Sequence, residues 1–440
     1  MSRLSSEQSL VRAVGVWGLA ANIVNLTIGG GIFRLPAAAA SSLGPAAPVA
    51  YLACAAAMLL IVSCFAEAGS RVSLTGGPYV YAGVAFGPFI GFLCGALLMA
   101  GVAVATAAVA SFFADSVVAL FPGIGGGAGR ATLIVVVLGT LAAINIAGLR
   151  GANRLNAFMT VAKLAPLTIL IVAGLFAMNW RNVAWHSAPT PAAVTRASAV
   201  MIFAFLGVES ALIPSGEVRT PARTVPRAVF LAVSVVAVVY LLVQLVAQGL
   251  LGAALAGQKT PLAEAAAVAM GPGGRMLILV GSSVSMLGYL AGMTFASPRM
   301  LFAFARDRFL PAPLAAVHPR FRTPHIAIAV QTIAVMALSA TGSFEKLAMI
   351  ANGSVLMVYA FCCLGVLLLR RRGVQETDVP FTSPITRFAP LAAVAVIVWL
   401  LTGLSADEWK SIGLLIALLV AAYAISSPAR RAAGRVEEAA

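Results

Sequence analysis

Charge is what this sequence has least of. Only 10% of its 440 residues are charged, against about 25% in a soluble domain. The acidic residues number 14 in all. So thin a polar complement cannot cover a water-exposed surface of this size, which excludes a soluble globular chain. The three histidines, His186, His318 and His325, fall in connections and form no metal set. The five cysteines, Cys54, Cys64, Cys94, Cys362 and Cys363, all sit in apolar stretches, which excludes a disulfide framework or a thiolate metal site. No Gly-Lys phosphate loop occurs, which argues against an ATP-driven pump. Ser, His and Asp form no recognisable nucleophilic triad, and no His, Asp or Cys cluster shares a depth. The chain is therefore not read as an enzyme. Alternating apolar and polar residues, the signature of barrel strands, are missing too.

What remains is hydrophobic: 61% of the chain. Long apolar runs such as Ala228–Leu250 and Ser411–Ile425 point to spanning helices, which take about 20 apolar residues. Twelve spans are expected, at roughly 14–40, 46–69, 89–119, 131–149, 156–178, 194–216, 226–251, 274–304, 325–341, 347–369, 386–404 and 411–427. The formal charge of +15 does not point to nucleic acid, because the longest basic run is Arg370–Arg372 and the arginines lie between spans. Seven of the 29 Lys/Arg (Arg130, Arg181, Arg196, Lys259, Arg275, Lys346 and Lys410) fall in odd-to-even connections. Arg34 and Lys163 lie within spans, and the other twenty, Arg150 and Arg219 among them, fall on the opposite side. That asymmetry predicts both termini in the cytoplasm of a multi-pass inner-membrane protein. The polar stretch Met1–Arg12 leads into the first span without a cleavage site, so no removable signal peptide is expected.

Two spans are interrupted. The first carries Thr27-Ile28-Gly29-Gly30-Gly31-Ile32-Phe33-Arg34-Leu35-Pro36, and the sixth carries Phe203-Ala204-Phe205-Leu206-Gly207-Val208-Glu209 with Pro214 close behind. Each interior glycine costs a helix about 1 kcal/mol against alanine. Irregular backbone at membrane depth survives only where protein buries it or a cavity receives it. Interruptions five spans apart point to a midplane binding site between two inverted halves.

At these residues the chain resembles the amino acid–polyamine–organocation (APC) superfamily of permeases. Gly29-Gly30-Gly31-Ile32-Phe33 with Leu35-Pro36 is similar to that family's helix 1 element. Glu67, then Gly76-Gly77-Pro78-Tyr79-Val80-Tyr81 and Phe86-Gly87, resembles the end of helix 2 and its loop. Phe203 to Glu209, continuing through Glu217 and Thr220-Pro221, resembles helix 6 and its exit, and Ser297-Pro298-Arg299 with Ala305-Arg306-Asp307 the end of helix 8. The family's serine in helix 1 is Gly30 here, which removes a hydroxyl, and Asn25 stands where a glycine is common.

The resemblance implies an all-α integral membrane fold with a leucine-transporter-like five-plus-five inverted repeat and discontinuous helices 1 and 6. Its expected divisions are a cytoplasmic tail (1–12), a first repeat (13–178), a second (192–369), peripheral helices (385–427) and a cytoplasmic C-terminal tail (428–440). It implies secondary active transport of amino acids across the cytoplasmic membrane, with a proton as coupling ion and no other cofactor. An exchanger of amino acids, polyamines or cationic amino acids fits the same fold, as does a non-transporting amino-acid receptor. No nucleic acid and no partner subunit are implied.

Chemistry at the breaks is legible. A helix that restarts offers unpaired N–H groups and a positive dipole end to a carboxylate. Carbonyls near Thr27, Ile28, Phe203 and Leu206 suit an ammonium. Substrate-binding candidates are Thr27, Ile28, Gly29, Gly30, Gly31, Phe203, Ala204, Phe205, Leu206 and Gly207. Met99, Val102, Thr106 and Met293 join them as a mainly apolar side-chain pocket that leans toward neutral amino acids. Phe203 takes the gating-aromatic position by resemblance. Glu209 is a gating or pH-sensing candidate, because intramembrane carboxylates are rare and usually functional; the alternative is a protonated acid hydrogen-bonded across to helix 1 or 8. Lys163 lies roughly 10 Å into span five at 1.5 Å per residue. Snorkelling to the interface is one reading. The other, carried by the resemblance, is a proton-coupling lysine that holds the helix 1 break when charged and releases it when neutral. Asp115 is expected near the extracellular interface with no chemistry assigned.

Overall fold

The computed structural model describes residues 15–438 apart from residues 73–76, 125, 148–151, 186, 212–217, 219, 307–308, 342, 376–380 and 382–386. The tail 1–12, Gly76, Arg150, His186, Pro214, Glu217, Arg219 and Asp307 therefore lie outside the described residues. Helices make up the fold, and no strand occurs among the described residues. In chain order they are α1 (Val16–Thr27), α2 (Gly31–Leu43), α3 (Pro48–Arg71), α4 (Pro78–Phe86), α5 (Pro88–Leu120), α6 (Gly127–Ile146), α7 (Ala152–Ala177) and α8 (Pro191–Met201). There follow α9 (Val208–Ala211), α10 (Pro221–Leu251), α11 (Pro261–Arg306), α12 (His325–Thr341), α13 (Phe344–Arg371), α14 (Ala389–Leu401) and α15 (Ala406–Glu438).

Proline opens α3, α4, α5, α8, α10 and α11. At the first helical position its missing N–H costs nothing and its fixed φ suits the helix. Polar caps are correspondingly rare, with Thr190 and Ser343 the side chains that cap α8 and α13. Seven helices among the described residues are long and apolar enough to cross a bilayer, and α1 with α2, bent by 55°, makes an eighth. Shorter apolar helices lie at Lys163–Ala177, Pro191–Phe205, His325–Ala340 and Ala389–Leu401. Helices thus occupy all twelve expected positions. Helix α15 continues past its expected span to Glu438.

The interior is built by α10 packing on α1 and α3, α13 on α5, and α11 on α5 and α7. Helices α6 and α15 bury little of themselves and lie at the periphery. Most described acidic side chains are paired with a cation. Arg34 meets Glu345 at 2.9 Å, and the fully buried Glu67 holds Arg71 at 3.0 Å and Arg370 at 2.6 Å. Asp115 pairs with Arg130 at 2.8 Å, Glu264 with Arg275 at 2.9 Å and Glu408 with Arg196 at 3.0 Å. Among the described acidic side chains, Glu209 alone has no cation within reach. The end of the bundle holding Arg71 and Arg370 is called the basic end below, and the end holding Arg34 and Glu345 the far end.

Candidate functional site

Helix α1 stops at Thr27 and α2 resumes at Gly31, so the first span is two half-helices. Resumption leaves the Gly31 and Ile32 amides ahead of any intrahelical acceptor. The sixth span breaks in the same way. Helix α8 tightens into a 3-10 turn over Ile202–Phe205, Leu206 is extended, and α9 begins at Val208. Gly207 between them has φ +117°, and a Cβ there would sit 2.6 Å from the Leu26 carbonyl oxygen. Only glycine permits this backbone-on-backbone approach of the two breaks.

Around them lies a cavity of about 40 Å³ lined by Thr27, Gly29, Gly30, Gly31, Val102, Phe203, Ala204, Leu206, Gly207 and Met293, all of them candidates from the sequence. Leu26, Gly101, Ala105, Val109, Glu209, Tyr289 and Val355 complete the wall. By this measure the space holds a few waters. Phe203 packs on Gly31, where a Cβ would meet its ring at 3.1 Å, and stands edge-on to Phe344. The hydroxyl lost at Gly30 has left no void. A Cβ there would come within 3.1 Å of Met286 and 3.2 Å of Val109.

Four candidates fall outside the wall. Ile28 turns its carbonyl oxygen away to Lys163. Thr106 donates to the Val102 carbonyl at 2.7 Å and bonds Tyr289. Phe205 packs edge-on to Tyr240, 5.3 Å between ring centroids. Met99 does not reach the cavity.

Lys163 does not snorkel. It is 4% exposed, and its ammonium donates to the Asn25 carbonyl at 2.7 Å and the Ile28 carbonyl at 3.1 Å. These belong to the last turn of α1, where a dipole leaves negative charge and favours a cation. Glu209 is 3% exposed and accepts from the Gly207 amide at 2.9 Å and from the Tyr359 hydroxyl. Its partner therefore comes from α13, and neither helix 1 nor helix 8 supplies one.

Sequence reasoning missed three tyrosines. Tyr240, fully buried on α10, donates toward the Thr27 carbonyl at 3.1 Å and the Ala204 carbonyl at 2.7 Å, one from each break. Tyr289 lines the cavity, and Tyr359 holds Glu209. A signal for Tyr240 existed. With Gln244 and Gln248 it forms a polar stripe at i, i+4 and i+8 through an otherwise apolar helix, all three buried. Arg34 was expected merely to lie within its span. Besides Glu345 it donates to the Gln258 and Lys259 carbonyls at 3.2 and 2.8 Å, tying α2 to the segment before α11.

The sequence also resembles known proteins. The family described as "Amino acid permease" matches residues 14–423. A methylthioribose transporter of Bacillus subtilis (strain 168) is 26% identical over 97% of this chain and 96% of its own. The serine/threonine exchanger SteT of the same organism is 28% identical over 89% of this chain and 90% of its own. An uncharacterized transporter of Mycobacterium tuberculosis (strain ATCC 25618 / H37Rv) is 33% identical over 78% and 77%.

Proposed function

This chain belongs to the amino acid permease family of the APC superfamily, a family of membrane transporters and not of enzymes, and from that premise we propose that it imports small neutral amino acids with a proton. In this reading it spans the cytoplasmic membrane twelve times with both termini inside, as a five-plus-five inverted repeat with two peripheral helices. The basic end then faces the cytoplasm and the far end the outside. The observation that carries the proposal is the meeting of two helix breaks around one cavity, with a buried lysine bonded to the first break.

Each half of an amino acid finds its complement. The carboxylate meets the amides that open α2, at the positive end of a helix dipole. The ammonium meets carbonyl oxygens of the interrupted backbone and the unpartnered Thr27 hydroxyl. The walls around Gly101, Val102, Ala105 and Met293 are apolar or small and bring no acid for a cationic side chain. Glu209, the acid that does line the cavity, is engaged with Gly207 and Tyr359. A charged Lys163 holds the end of α1 by two bonds; losing the proton weakens that hold and frees the break to move.

Exchange is the second reading, because a relative matching nine-tenths of both chains is named a serine/threonine exchanger. The relative named for methylthioribose makes a small sugar the competitor to include in any substrate screen. The test is uptake of a labelled amino-acid mixture into proteoliposomes of the pure protein, with and without an inward proton gradient. Accumulation that collapses with a protonophore supports proton-driven import. Flux that requires amino acid preloaded in the lumen supports exchange. No flux of either kind overturns the amino-acid reading.

A further inference from the structure

A second and larger cavity lies at the far end of the bundle, away from the helix breaks. It measures about 320 Å³ and is lined by Ala40, Gly44, Pro45, Arg181, Asn182, Ala184, Gln248, Gly252 and Ala253. Two helices end at its wall: α2, which stops at Leu43, and α10, which stops at Leu251. Helices α2 and α10 stop in the same way, on Gly44 (φ 54°, ψ −130°) and Gly252 (φ 55°, ψ −132°), a backbone conformation that favours glycine. A Cβ at Gly44 would meet nothing within 4 Å. A Cβ at Gly252 would touch the Asn182 amide at 3.0 Å.

The polar groups here are unbalanced. Gln248 is 1% exposed, and its amide nitrogen donates to the Asn182 carbonyl at 3.3 Å and the Gly252 carbonyl at 3.2 Å. Those two acceptors fix the amide's orientation, because reversing it would set oxygen against oxygen. Its oxygen is left buried without a donor, which is unfavourable in a protein interior. No acidic side chain lines the cavity. Arg181 at its rim is exposed, and its guanidinium has no side-chain partner among the described residues. One wall thus lacks a donor at the negative ends of two helices, and the rim offers a cation without an anion.

We propose that this cavity binds a primary ammonium carried beside an anionic group. The ammonium would donate to the Gln248 amide oxygen, favoured by the helix ends, and the anion would pair with Arg181. Exposed Trp180 and Trp185 flank the Arg181 segment, and indoles of that kind lie at the membrane–water interface. That depth suits the headgroup of phosphatidylethanolamine; a free amino acid has the same chemistry. The proposal stands apart from the transported substrate, since the cavity shares no lining residue with the central one.

Native mass spectrometry of the full chain from nanodiscs tests it. The bilayers would contain phosphatidylethanolamine, its mono- and dimethylated forms, or phosphatidylcholine. One lipid should be retained with about tenfold preference for the primary amine, falling stepwise with methylation as N–H donors disappear. Arg181→Glu, on an exposed turn, and Gln248→Leu should both erase the preference. If Gln248→Leu does not fold, Arg181→Glu carries the test. Should a free amino acid be the source, equilibrium dialysis of the labelled mixture would find a second equivalent per protein, absent from Arg181→Glu while the first remains. Equal retention of primary amine and phosphatidylcholine with no second equivalent overturns the proposal and leaves a water-filled cavity. A preference unchanged in Arg181→Glu overturns it as well.

Discussion

The two breaks are held by groups of opposite polarity, a donor at the first and an acceptor at the second. At the first, the exposed end of α1 is a set of carbonyls, and an ammonium from α7 sits on them, reaching back across 138 residues of sequence to Asn25. At the second, the exposed group is the Gly207 amide, and the carboxyl oxygen of Glu209, two residues along the same segment, accepts from it. In each case the sign opposes that of the severed helix end, as the dipole requires. The difference lies in which segment supplies the partner. The second break is capped from within and steadied by Tyr359, whereas the first is held from a separate helix.

The sharpest way to break this comparison is to add one carbon to each break. Gly207→Ala drives a methyl against the Leu26 carbonyl in a left-handed backbone, a strain of order 1–3 kcal/mol before the clash is counted. Initial uptake should fall to background. Gly29→Ala meets only the edge of the Tyr289 ring at 3.7 Å and should stay within about threefold of wild type, because that is ordinary van der Waals contact. Equal tolerance at both positions would refute the backbone-on-backbone account.

Next in size is Lys163→Ala, which strands two buried carbonyls at about 1–3 kcal/mol each. Proton-driven accumulation should drop on the order of 100-fold, since each 1.4 kcal/mol is a factor of ten. Full pH-driven uptake in this variant would remove Lys163 from coupling. Glu209→Gln keeps a hydrogen-bonding oxygen for Gly207 and Tyr359, so its rate should fall less than about tenfold. Its pH profile should flatten, and an unchanged profile would assign the pH response elsewhere. The smallest effect is expected of Tyr240→Phe. Losing one shared hydroxyl is worth about 0.5–1.5 kcal/mol, read as a KM raised roughly 2- to 12-fold with the assembled protein intact.

Much of this was written in the sequence. Glycine clusters and a lone intramembrane carboxylate announce themselves because lipid makes both costly, so the breaks at Gly29–Gly31 and Gly207 could be placed from composition alone. Lys163 could be located too, yet its carbonyl partners could not, because backbone acceptors have no letter in a sequence. Tyr240 and Tyr359 escaped for a related reason. A tyrosine in an apolar helix is as often core as donor, and only the fold brings Tyr240 to Thr27 and Ala204. The filling of the Gly30 position by Met286 and Val109 depended on packing between helices far apart in the chain.

Helix α13 is held at three heights. Near its start Glu345 meets Arg34 of α2, midway Tyr359 meets Glu209 of α9, and at its finish Arg370 meets Glu67 of α3. At 28 residues it is a stiff rod about 40 Å long. A rod pinned at its middle cannot tilt without lifting one tip as the other presses in. The clasp at Arg34 and the clasp at Glu67 are therefore the two pans of one balance, with Tyr359 as its fulcrum.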